Sequence, residues 1–171
     1  MSSRLFPCFD LAIFCQLFIV GTRPRPRIMA EKLMIDESGA GLKDYKIFCF
    51  NGEPKIIQVD LDRFTNHKRN FYSPQWEYQY FSLAYPSSPR ISVTRPNHLE
   101  LMLDLARKLS AGKTYLRVDL YVIDDKIYFG ELTFYPDAGY KKFDPAEWNE
   151  IFGNWLILPF KLPQATPIHR K

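Results

Sequence analysis

Two short charged motifs stand at either end of one apolar stretch: Arg117-Val118-Asp119 and Glu131-Leu132-Thr133, with Tyr135-Pro136 just beyond. Residues 117 to 136 read RVDLYVIDDKIYFGELTFYP, two strands rich in Val, Ile, Tyr, Phe and Thr around a turn at Asp124-Asp125-Lys126. Register decides what the charged residues do. If Ile123 pairs with Ile127 across a three-residue loop, Asp119 faces Glu131 and Arg117 faces Thr133, with opposed β-carbons about 4.5–5.5 Å apart. Carboxylates that close repel unless positive charge lies between them. A hard divalent cation such as Mg²⁺, shared with substrate phosphates, suits that place. A two-residue loop would slip the register by one and send the acids to opposite faces. The same composition also suits a surface hairpin with a solvated Arg/Asp/Glu face.

The elements that must position these residues alternate compactly. Ile28 to Met34 reads as a strand and Asp36 to Lys43, with Gly39 and Gly41, as a loop. Tyr45 to Phe50 and Lys55 to Asp60 read as strands joined at Asn51-Gly52, a favoured tight-turn dipeptide. Asp62 to Pro89 has no sustained period and reads as an ordered loop with room for a short helix. Within it His67, Lys68 and Arg69 lie near Tyr72 and Trp76, either a solvated basic cluster or a surface for an acidic or sugar acceptor. Asn97 to Ala111 places Leu99, Met102, Leu103, Ala106 and Leu109 on a helical face, with Asn97 as cap and Gly112 as stop. Asp144-Pro145-Ala146-Glu147-Trp148 opens a second helix with Pro in its first turn, running towards Trp155. Phe48, Phe50, Leu120, Val122 and Leu132 are expected in the core.

Composition bounds the function. The chain has 171 residues, enough for one domain with a real core. At 46% hydrophobic and 16% aromatic it is not generally disordered. A net charge of +4 suits nucleotides or anionic substrates but is too small to argue for a nucleic-acid partner. Cys8, Cys15 and Cys49 show no metal-ligand spacing and make no disulfide framework, which fits a reducing, cytoplasmic setting. Leu5 to Val20 is apolar after Arg4, but Asp10 and Gln16 interrupt it and no small-x-small cleavage site follows. It is short for an integral membrane span. Residues 1 to 24 are therefore expected to be a non-homologous or poorly ordered start, 25 to 158 the functional domain, and 159 to 171 a tail.

The motifs together resemble the nucleotide site of ATP-grasp enzymes: Arg-x-Asp, a hairpin, Glu-x-(Asn or Thr), then Pro136 and Gly139. The resemblance extends upstream through Arg27-Ile28-Met29-Ala30-Glu31-Lys32-Leu33-Met34, Asp44-Tyr45-Lys46-Ile47-Phe48-Cys49-Phe50-Asn51-Gly52 and the run Asp60 to Arg63. These phrases are similar to the TupA-like branch, named for teichuronopeptide biosynthesis and often encoded with polysaccharide glycosyltransferases. The resemblance implies an α+β fold, an antiparallel sheet with flanking helices that forms the second lobe of an ATP-grasp, incomplete at its amino terminus. It implies ATP and Mg²⁺ as cofactors, Asp119 and Glu131 as metal ligands, and Arg117 as the catalytic cation on the transferring phosphate or the oxyanion that follows. Glu31 would belong to the hinge that binds adenine, Asp44 would accept from the ribose, and Lys46 and Arg63 would reach phosphates. Thr133 stands where many relatives carry a metal-binding Asn, and a hydroxyl binds metal weakly.

The expected function is Mg-ATP-dependent activation of a carboxylate for amide bond formation in cell-envelope polysaccharide or polypeptide assembly, inactive if the preceding lobe is required. Its partners would be nucleotide and a carboxylate, amine or sugar-linked substrate. The alternative is a non-catalytic remnant, or a carbohydrate- or protein-binding module associated with glycosyltransferases and using a Trp76/Tyr78/Tyr80 surface.

Overall fold

The computed structural model describes residues 44–61 and 66–159, together with the backbone of 11–14 and 29–32. In chain order its strands are β1 (Leu11–Phe14), β2 (Met29–Lys32), β3 (Asp44–Phe50), β4 (Glu53–Leu61), β5 (Lys68–Tyr72), β6 (Tyr78–Gln79) and β7 (Ser82–Leu83). Helix α1 (Leu99–Ser110), β8 (Tyr115–Ile123), β9 (Lys126–Thr133), β10 (Phe143–Asp144) and helix α2 (Trp148–Trp155) follow. Six strands form one sheet in the order β6-β5-β4-β3-β8-β9, every pairing antiparallel. β1 pairs with β2, and β7 with β10, in two small antiparallel sheets. The architecture is α+β, an antiparallel sheet with flanking helices.

Strand alternation divides the residues of β3 between two faces. Tyr45, Ile47 and Cys49 join Ile57, Val59, Leu116, Val118 and Leu120 beneath α1. Phe48 and Phe50 join Ile56, Phe71 and Phe81 against Trp148, Phe152 and Trp155 of α2. Covered on both sides, β3 is buried along its whole length. The β3–β4 turn falls at Asn51-Gly52 with both residues at positive φ (52° and 84°), as that dipeptide predicts.

Three expectations from sequence change here. The segment read as a loop after Asp62 contains β5, β6 and β7, because Phe71, Phe81 and Leu83 are needed to complete the core facing α2. Helix α1 begins at Leu99 with His98 at its N-cap and no side-chain capping bond, so Asn97 is not the cap. Its buried face ends at Ser110, whose Oγ donates to Ala106 O at 2.7 Å, while Leu109 points outwards. Phe48, Phe50 and Leu120 are buried, and Val122 and Leu132 pack half-buried at the edge of the core. The expectation for residues 1 to 24 lies outside the described residues apart from the backbone of β1. No helix among the described residues is long and apolar enough to cross a membrane.

Met102 is fully buried where α1 meets the sheet. Met102→Ala is expected to lower folding stability by about 2–5 kcal/mol. Urea unfolding followed by tryptophan fluorescence checks it.

Candidate functional site

The β8–β9 hairpin turns on two residues, Asp124 and Asp125, both left-handed (φ 48° and 58°), with Ile123 opposite Lys126. This corrects the three-residue loop expected from sequence. A two-residue turn alone would put Asp119 and Glu131 on opposite faces. The register instead shifts between Val118 and Leu120: Leu120 faces Phe129, but Val118 faces Leu132 and Arg117 faces Thr133. Gly130 and Glu131 therefore share the place opposite Asp119, a β-bulge that restores the charged residues to one face. Only glycine fits that bulge. A β-carbon at residue 130 would lie 2.9 Å from the Asp119 carbonyl oxygen and 2.9 Å from the Tyr121 ring.

The charged side chains converge as a result. Arg117 donates through Nε to Asp119 Oδ1 at 2.8 Å and through Nη2 to Asp119 Oδ2 at 2.8 Å. The same Nη2 reaches Glu131 Oε1 at 2.8 Å and Thr133 Oγ1 at 3.1 Å. Lys46, directly across the sheet from Asp119, donates to its Oδ2 at 2.7 Å and to Asp44 Oδ2. Asp119 is fully buried, and burial drives its carboxyl up to about 6 against the pull of Lys46 and Arg117. Burial works to lower Arg117, yet Asp119 and Glu131 hold it above its ordinary value. Three acids (Asp44, Asp119, Glu131) face two bases (Lys46, Arg117), an excess of one negative charge.

That donor set fits a hard cation. Asp119 Oδ2 and Glu131 Oε1 both accept from Arg117 Nη2, so an ion shared by the two carboxylates would take the place that the guanidinium now fills. Among the described residues no three His, Cys, Asp or Glu side chains group to hold a metal by themselves. An ion there would need phosphate oxygens as further ligands, the usual condition for Mg²⁺.

The polar row continues across the sheet through residues that sequence reasoning gave no role. Gln58, opposite Lys46, donates to Asp60 Oδ1 at 3.1 Å, and Arg69 Nε donates to the same oxygen at 2.7 Å. His67 Nε2 lies 3.2 Å from Asp60, and Arg69 stacks over Tyr85 at 4.9 Å. Arg69 is thus a buried strand residue rather than part of a solvated loop cluster. Gln58 and Asp60, spaced two apart in the apolar run of β4, were the available signal. Burial raises Asp60, but Arg69, Lys46 and His67 outweigh it and hold the carboxyl below its ordinary range. Glu31 lies on β2, where only the backbone is described, and Arg63 lies outside the described residues. Cys49 is buried and free, its thiol pushed up to about 11 by burial. Trp76 stacks on Tyr72 at 4.4 Å and donates to Val93 O, leaving Tyr80 as the exposed ring of the Trp76/Tyr78/Tyr80 group.

Along the strands the charged rows give way to aromatic ones. Arg117 is the register partner of Phe48, and the next row on that face pairs Phe50 with Tyr115. At this aromatic end a cavity of about 810 Å³ is lined by Phe48, Phe50, Tyr115, Phe143 and Phe152. The loop Phe134–Gly139, where Asp137, Ala138 and Gly139 are all at positive φ, and Lys113 and Lys141 line it as well.

The antiparallel sheet thus gathers Lys46, Arg117, Asp44, Asp119 and Glu131 into one charged cluster. A family model described as TupA-like ATPgrasp matches residues 23–157, more than half of the chain, and the protein belongs to that family. Its domain is ligase-like and of ATP-grasp type, and ATP-grasp enzymes in general use ATP and Mg²⁺. Comparisons with curated proteins and with solved structures gave no match.

Gly130→Ala is expected to strain the bulge and lower stability by about 1–3 kcal/mol, measured by thermal and urea unfolding. Asp60 is expected to shape the acid limb of stability. Its folded-state value lies below the unfolded value of about 3.9, so its contribution is complete above that pH and is lost as pH falls through the folded value. Asp60→Asn should lower stability near neutral pH and flatten the loss below about pH 4, a difference readable from urea midpoints across that range.

Proposed function

We propose that the protein activates a carboxylate with Mg-ATP for amide bond formation, in the cytoplasmic assembly of cell-envelope polysaccharide or polypeptide. The observation that carries this reading is the convergence of Asp119 and Glu131 on Arg117, with Lys46 across the sheet from Asp119. Family membership supports it independently. Residues 25 to 158 would form the functional domain.

In this reading the substrate carboxylate attacks the γ-phosphorus of ATP, and the bond to ADP breaks with its electron pair remaining on ADP. An amine then attacks the acyl carbon, inorganic phosphate leaves, and the amine loses a proton to solvent. Lys46 and Arg117 hold phosphoryl oxygens in line and offset charge as it develops. Asp119 and Glu131 would hold Mg²⁺, which would supply positive charge against the phosphates. Asp44, Glu31 and Arg63 take the ribose, adenine and a further phosphate in the same scheme. The excess acid in the cluster favours binding of metal and nucleotide together, since the triphosphate alone would meet net repulsion.

Calorimetric titration with ATP and with adenosine, each with and without Mg²⁺, tests this. Mg²⁺ should strengthen ATP binding and leave adenosine unaffected. Asp119→Asn and Glu131→Gln should each reduce the magnesium effect, with circular dichroism showing the fold retained. Lys46→Ala should weaken ATP about tenfold to a hundredfold, the equivalent of one charge-assisted hydrogen bond of roughly 1.5–3 kcal/mol, and adenosine little. Equal, metal-independent binding of the two ligands would remove the phosphate assignment.

A further inference from the structure

Helix α1 and the sheet edge beside it leave an apolar strip that the fold does not bury. A helix with its side chains is about 10–12 Å across, whereas strands lie about 4.8 Å apart, so one helix covers only part of a six-stranded sheet. α1 packs on β3, β4 and β8, and β9 is the outer strand. Phe129, opposite Leu120 and therefore on the face that α1 covers, is 58% exposed. α1 itself carries a second apolar row. Leu101, Leu105 and Leu109 follow at four-residue steps, each turning about 40° around the helix, apart from the buried Leu99, Met102, Leu103 and Ala106. Leu101 is 51% exposed and Leu109 40%. Leu101 and Leu105 join Ile127 and Tyr128 around a recess of about 500 Å³. Contiguous apolar surface of this kind, unlike a lone exposed leucine, marks an interaction site.

Two features make the row complementary to itself. The recess lies at its first residues, and Leu109 stands out at its end, about 12 Å from Leu101 along the helix. Turned antiparallel about Leu105, a second α1 brings its Leu109 to Leu101 and the recess, and the reciprocal contact forms at the other end. Charge follows the same symmetry. Asp104 and Lys108, both exposed and also four residues apart, border the row on the side away from the sheet. Antiparallel packing sets each Asp104 beside the Lys108 of the other copy, whereas parallel packing would oppose like charges. Asp104 also accepts from Arg107 of its own helix at 2.7 Å, through Oδ1. Lys108 makes no ion pair among the described residues.

We propose that two copies of the chain associate about a two-fold axis at α1, with the helices antiparallel and Leu109 of each copy seated in the recess of the other. α1 lies on one face of the sheet, and Lys46, Arg117 and Asp119 lie on the other, the face on which α2 packs. Association therefore leaves the nucleotide reading untouched and does not depend on it.

Sedimentation equilibrium of the full chain, free of nucleotide, tests this. A dimer should form with a dissociation constant on the order of 1–100 µM, as expected of an interface built on one helix and one strand edge. Leu109→Glu should abolish it in that range, with circular dichroism showing the fold retained. Asp104→Lys alone and Lys108→Asp alone should each weaken self-association about tenfold, and an equal mixture of the two should recover it, because both pairs are again of opposite sign. These exposed charge variants decide the matter even if Leu109→Glu unfolds the chain. A chain that stays monomeric through that range, a dimer unchanged by a folded Leu109→Glu, or a mixture no stronger than its two components would overturn the proposal.

Discussion

Arg117 is held by two carboxylates that reach it from different strands, at 2.8 Å each, and one of them is completely buried. Burying Asp119 costs several kcal/mol unless charge partners surround it, and removing a partner from such a pair costs more than the pair itself contributes. Lys46 and Arg117 supply those partners from β3 and β8, so these two neighbouring strands are tied together by the same charged groups. The sheet register, the bulge at Gly130 and the covering of β3 on both faces all have to hold for this charge arrangement to exist.

The bulge links local geometry to chemistry. A two-residue turn at Asp124-Asp125 gives the hairpin its tight, left-handed corner, and by parity it would send Glu131 away from Asp119. One extra residue on β9 reverses that parity. Gly130 is accepted there because the Asp119 carbonyl and the Tyr121 ring leave no room for a β-carbon. A backbone irregularity, rather than the turn, decides which face the acid occupies.

The same face changes character along its length. Rows at Lys46 and Asp119 are charged, the row at Phe48 and Arg117 is mixed, and the row at Phe50 and Tyr115 is aromatic. Charge is concentrated where α2 does not reach, and α2 covers the aromatic end with Trp148, Phe152 and Trp155. The surface around Trp76 is less suited to recognition, since Trp76 is committed to Tyr72 and Val93.

Much of this was legible in the chain itself. Asn51-Gly52 determined a hairpin, apolar spacing determined α1, and Arg-x-Asp with Glu-x-Thr pointed to paired acids on adjoining strands, because these signals are local and periodic. The upstream motifs marked Asp44 and Lys46 for the same site. Tertiary structure alone decided the rest. Whether Asp119 and Glu131 share a face depended on a bulge, and the crowding that reserves its position 130 for glycine lies in contacts with the partner strand. The strands after Asp62 are short and aperiodic, and only a core needing Phe71, Phe81 and Leu83 makes them strands. Arg69 read as a solvated cation because its partner Asp60 lies nine residues back, on the neighbouring strand. The cavity draws its lining from β3, β7, β8, β10, α2 and the loops between them, and no linear pattern encodes a space that exists only between them.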